Sequence, residues 1–143
     1  MVPVSVQVTP PTAAGRLLLR AEVGRLRARE SRRVFDPSVH VGVLGGDRTG
    51  VPLRAADRSQ VDVALRTDVV SRLVEGSPSQ WHTAWLVRPG TPDQHDMDLQ
   101  WLAAAWTAFG MHARRLDGCF VVTRTGWCDV VTDERQVWTR LRI

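Results

Sequence analysis

Alternation dominates the first half of the chain. Val2, Val4, Val6 and Val8 alternate with Pro3, Ser5 and Gln7, which predicts a short strand with one buried face, and Pro3 places it at an edge. Residues 16–33 pull in two directions. Their Leu, Ala, Arg and Glu content favours helix. Yet Leu17, Leu19, Ala21 and Val23 alternate with Arg16, Arg20 and Glu22, and on a helix Leu17, Leu18, Leu19, Val23 and Leu26 would point nearly all round. The pattern favours extended structure broken near Gly24; the alternative is a basic helix projecting from the domain. Val39, Val41 and Val43 share one face of a strand closed by Gly45-Gly46-Asp47. Val51 to Arg54 reads as strand or loop, and Val61 to Leu65 as extended. Thr67-Asp68 then offers a cap for a helix over 68–75, with Val69, Val70, Leu73 and Val74 inward and Gly76 at its end.

The second half changes period. Trp81 to Arg88 reads as a strand ended by Pro89-Gly90, and Thr91-Pro92-Asp93-Gln94 supplies helix-start signals. The helix is predicted over 92–113, beginning at Pro92 or at Asp96. Leu102, Ala105, Trp106, Phe109 and Ala113 form one face; Met97, Trp101, Ala104, Ala108 and Met111 form a second. A helix apolar over so much of its girdle packs on two layers or on a second copy of the chain, so a homo-oligomer through helix 92–113 is one expectation. Strand 81–88, helix 92–113 and strand 119–124 make a βαβ unit with parallel strands, and a C-terminal β-hairpin follows. With a four-residue turn, that hairpin sets Trp127 against Arg140 and Asp129 against Trp138. The fold class is α+β: a single domain over 1–143 with a mixed sheet, a β-rich or irregular part over 1–60 and an α-β-α-β-β core over 61–143.

Arg88-Pro89-Gly90, Asp96, Asp98, Trp101, the Ala-rich helix with Phe109, Val121-Val122-Thr123-Arg124 with Gly126-Trp127, and Trp138 with Arg140-Leu141-Arg142 form a set. That set resembles a family of small, uncharacterised actinobacterial proteins over roughly residues 60–143. The resemblance implies a GC-rich source and carries no activity.

Composition refines this picture. The chain has 143 residues, 43% hydrophobic and 24% charged, enough for one ordinary core without a disulfide or metal. All 19 basic residues are Arg, so no lysine chemistry is available. Residues 1–60 hold ten Arg against five acids and residues 61–143 nine against ten, so the net +4 belongs to the first part. That asymmetry points to nucleic acid or an acidic protein as partner. Cys119 and Cys128 have no metal-ligand spacing and read as reduced packing residues. With no run of 18 apolar residues and no signal-peptide layout at Met1-Val2-Pro3-Val4, the expectation is a cytoplasmic protein that does not contact a membrane.

No nucleophile, zinc, dinucleotide or P-loop motif is present, so no catalytic residue and no cofactor is assigned. The binding candidates are Arg25, Arg27, Arg29, Arg88, Arg124, Trp127, Trp138, Arg140 and Arg142. They rest on the basic run, on Arg88 and Arg124 ending two parallel strands, and on Arg beside aromatic rings, which can stack bases or grip phosphates. The competing reading is a solvated ladder whose Arg stems cover Trp rings. His95, Asp96 and Asp98 are the metal candidates for a metal-dependent hydrolase or nuclease. Against them, Asp96 and Asp98 lie about 200° apart on a helix, and acids gather at helix N-termini to suit the dipole.

Overall fold

The computed structural model describes residues 11–54 and 62–139. The strand expected over 2–8 lies outside them, as do Arg140 and Arg142. Thr12 opens the first helix, α1 (Ala13–Arg29), by accepting from the Gly15 amide at 3.0 Å. This corrects the extended reading of 16–33. Leu, Ala and Arg propensity prevails because a single sheet face needs only a narrow stripe, namely Leu19, Glu22, Val23 and Leu26. Leu17 and Leu18 stay exposed, and they had made the helix look apolar all round.

A hairpin follows, β1 (Ser38–Gly42) and β2 (Arg48–Pro52), turned through Gly45 at φ 75, a conformation glycine takes without Cβ strain. Val43 sits in that turn and is exposed rather than in line with Val39 and Val41. The second helix, α2 (Val63–Glu75), starts five residues before the expected Asp68. Its cap is Asp62, which accepts from the Leu65 amide at 2.8 Å. Of the stretch read as extended, Asp62 is therefore the cap and Val63 to Leu65 the first turn, while Val61 lies outside the described residues.

Next come β3 (Thr83–Val87), α3 (Asp96–Met111), β4 (Gly118–Val122), β5 (Gly126–Asp129) and β6 (Arg135–Val137). β3 and β4 are parallel and joined through α3, as the βαβ reading requires. The six strands form one sheet in the order β2-β1-β3-β4-β5-β6, with every other neighbouring pair antiparallel. Asp129 caps the β5–β6 turn by accepting from the Val131 and Thr132 amides at 2.9 and 3.2 Å. That turn sets Trp127 opposite Gln136, four residues away from the Arg140 pairing expected from sequence.

The result is a single α+β domain in three layers. Odd-numbered strand residues such as Val39, Val41, Cys119 and Val121, with Ala84 and Leu86 of β3, pack against α2 and α3. Trp85, Val87, Phe120, Val122 and Trp127 pack against α1. No helix among the described residues is long and apolar enough to cross a membrane.

Candidate functional site

Strand alternation decides where the two strand-ending arginines go. Arg88 follows Leu86 onto the α3 face, whereas Arg124 follows Val122 onto the α1 face, so the two do not meet. Arg88 is buried and spends all five donors inside the protein. Its Nε and Nη2 donate to Asp98 at 2.8 Å each, and the remaining bonds run to the carbonyls of Pro89, Thr91 and Asp93 at 2.9–3.0 Å. Asp98 also accepts from the His95 amide at 2.8 Å, which starts α3 at Asp96 rather than Pro92. Arg88 therefore ties the β3–α3 loop to the helix and has no donor left for a partner.

The same geometry removes the proposed metal set. Asp98 is consumed by Arg88, Asp96 is exposed, and His95 lies 3.4 Å from Asp93 at the surface. No group of three or more His, Cys, Asp or Glu side chains placed to hold a metal occurs among the described residues. His82 contacts the Arg115 carbonyl at 2.9 Å and His112 contacts the Ser71 hydroxyl at 2.8 Å. Burial pushes the Cys119 thiol up to about 12 and the Cys128 thiol up to about 11, so both are inert packing groups.

The two candidate tryptophans are likewise turned towards the core. Trp127 is 2% exposed beneath α1, and Trp138 is partly buried against the same cluster with the Arg20 guanidinium 5.8 Å from its ring centroid. The outward Arg/Trp ladder across the hairpin is thus not formed by Trp127.

What does gather is charge at the C-terminal end of α1. With Leu26 facing the sheet, Arg25 and Arg29 fall on the flank towards β1 and β2, and Arg27 falls on the flank towards β4 and β5. On the second flank Arg27 Nη1 donates to the Arg124 carbonyl at 3.4 Å, which brings Arg124 to the basic run. On the first, Arg29 and Arg32 line a cleft of ≈ 760 Å³ together with Arg48 and His40. Leu26, Phe35 and Val87 give the cleft an apolar wall. Arg32 is engaged by Glu30, at 2.9 and 3.1 Å, on the exposed rim.

Behind this cleft lies a buried polar network that sequence reading missed. Glu22, 3% exposed, holds Arg48 through bonds of 2.7 and 2.5 Å and accepts the Gly45 amide at 2.9 Å. The Arg48 guanidinium stands 4.9 Å from the Trp85 centroid, and His40 stacks on the same ring at 5.6 Å and 18°. Burial raises the Glu22 carboxyl, but the Arg48 contact and the Gly45 amide outweigh it and hold the group below its ordinary value. Burial, reinforced by Arg48 and Arg29, lowers His40 to about 4 and keeps it neutral. Its Nε2 meets the Ser38 hydroxyl at 2.8 Å, and its buried Nδ1 has no hydrogen-bond partner among the described residues. Among the described residues no acid stands on Nδ1 to orient the ring towards Ser38. The available signal was parity: His40 is the cross-strand partner of Trp85, and Glu22 sits three residues after Leu19 on the buried stripe.

This arrangement can hold an anion beside an apolar surface. No protein-family model, curated protein or solved structure matches the chain.

Proposed function

We propose that the chain is a non-catalytic binding module that grips a phosphate-bearing partner, nucleic acid first, at the C-terminal end of α1. The carrying observation is the gathering of guanidiniums from separate segments there, with Arg27 and Arg124 on one flank and Arg29, Arg32 and Arg48 around the cleft on the other. Arg48 is neutralised by Glu22 and Arg32 is paired with Glu30, so Arg27, Arg29 and Arg124 are the contacting set. Guanidinium forks suit phosphate, and the apolar wall suits the face of a base. The two buried, unpaired thiols support a cytoplasmic setting.

Fluorescence anisotropy with labelled single- and double-stranded oligonucleotides tests this reading. Three phosphate contacts weaken binding by about 20- to 40-fold between about 50 and 200 mM salt. Arg27→Ala and Arg29→Ala each reduce the slope of log K against log salt by about one. Absence of binding at low salt, or binding indifferent to salt and to both variants, overturns the proposal. Capture of an acidic peptide without any oligonucleotide binding transfers the surface to a protein partner.

A further inference from the structure

α3 buries Trp101, Ala104, Ala105, Ala108 and Phe109, yet it also presents apolar residues to solvent. Leu99 is 44% and Trp106 37% exposed, and Ala103 and Gly110 lie in the same open stripe. At about 100° per residue these four positions fall within an arc of about 60°. Their spacing of four, three and four residues is the seam of a helix pair. A Cβ added to Gly110 would meet nothing within 4 Å, so nothing in the described fold uses that gap.

We infer that this face pairs two copies of the chain through antiparallel α3 helices, related by a two-fold axis passing midway between Ala104 and Ala105. Leu99 and Gly110 lie about 8 Å on either side of that midpoint, and Ala103 and Trp106 about 2 Å. The two-fold therefore sets Leu99 of one copy on Gly110 of the other, and Trp106 on Ala103. Each large side chain meets a small one, so knobs fill holes and the axes can approach to about 8 Å. The contact is isologous and closes, as dimers do.

Charge selects the same orientation. The N-terminal end of α3 carries exposed Asp96 and half-buried Asp93, and just past its C-terminal end lie Arg114, which donates to Ser77 and Pro78, and Arg115, which pairs with Asp117, so that the first end is net negative and the second net positive by one charge. Antiparallel pairing sets each acidic end beside the partner's basic end and opposes the helix dipoles; parallel pairing would set like beside like. Because α1 lies on the other face of the sheet, the dimer leaves both basic ends open and makes the module bivalent.

Sedimentation velocity of the full chain from about 1 µM to about 1 mM tests the pairing. The wild type forms a dimer in this range. Gly110→Glu enters open space in the monomer, so at concentrations where both chains are monomeric it leaves circular dichroism unchanged and does not lower Tm, while weakening the dimer at least about tenfold. Ala103→Trp and Trp106→Ala each weaken it too. The double variant exchanges knob and hole across the axis and recovers wild-type affinity to within about threefold. A wild type that stays monomeric throughout, a dimer indifferent to Gly110→Glu, or a folded double variant without recovery overturns the inference.

Discussion

Replacing Asp98 with Ala separates a structural ion pair from a binding site. In the folded protein Arg88 is buried with two of its five hydrogen bonds on Asp98. Asp98→Ala leaves a guanidinium without its counter-charge in the interior and strips the His95 amide of its acceptor. Removing one partner of a buried pair costs about 3–5 kcal/mol, and a lost helix cap adds about 1 kcal/mol. A domain of this size has about 5–15 kcal/mol in total, so the variant is folded but marginal. With a urea m-value of about 2 kcal/mol/M, the loss appears as a midpoint lowered by about 2–3 M in an equilibrium melt followed by tryptophan fluorescence. Arg88→Leu is damaging for the complementary reason, a buried carboxylate left on one amide. The double variant Arg88→Leu with Asp98→Ala costs less than the two singles summed, by about 2 kcal/mol or more, because no lone charge remains. A loss below about 1 kcal/mol for Asp98→Ala, or additivity within about 0.5 kcal/mol, refutes this account. The salt slope of oligonucleotide binding stays unchanged in the folded variant, since Arg88 is buried on the α3 face of the sheet, away from the basic end of α1.

Three other outcomes follow from the same packing. His40 sits at about 4 in the folded state against an ordinary 6.5, so the unfolded chain takes the proton first and stability falls as pH drops from about 6.5 to about 4; this amounts to at most about 3 kcal/mol, less for its partial exposure, and His40→Phe flattens that part of the urea-midpoint profile. Gly126→Ala places a Cβ 2.0 Å from the Gln136 carbonyl oxygen, forces β6 away at a cost of about 1–3 kcal/mol, and exposes the Trp138 amide, now bonded to the Thr125 carbonyl at 2.8 Å, to hydrogen exchange. Trp127→Leu lowers stability by about 2–4 kcal/mol in a urea melt, yet below its Tm it leaves oligonucleotide affinity within about twofold, whereas a larger affinity loss would return the ring to the surface.

The alternating Val39 and Val41, the strand around Trp85, the Ala-rich helix and the Val121-Val122 strand were legible in the sequence because each carries a strong local period. The parallel βαβ unit followed from their order. The basic character of the first part was equally plain. What the sequence left open was decided by distance along the chain. Whether 16–33 is helix or strand depended on how wide a face the sheet would cover, and the answer, one narrow stripe, exists only once β3, β4 and β5 are assembled. Arg88 and Arg124 end adjacent parallel strands, yet they differ in parity with respect to the core, so one is buried on Asp98 and the other joins Arg27. Asp96 and Asp98 look alike in the sequence; the Arg88 guanidinium below the helix start claims one of them. The Glu22–Arg48–Trp85–His40 network joins α1, β1, β2 and β3, and no local window contains it. Periodicity encodes which face of an element is apolar; which charged side chain meets which partner is set by long-range packing, where desolvation forces every buried charge to be matched.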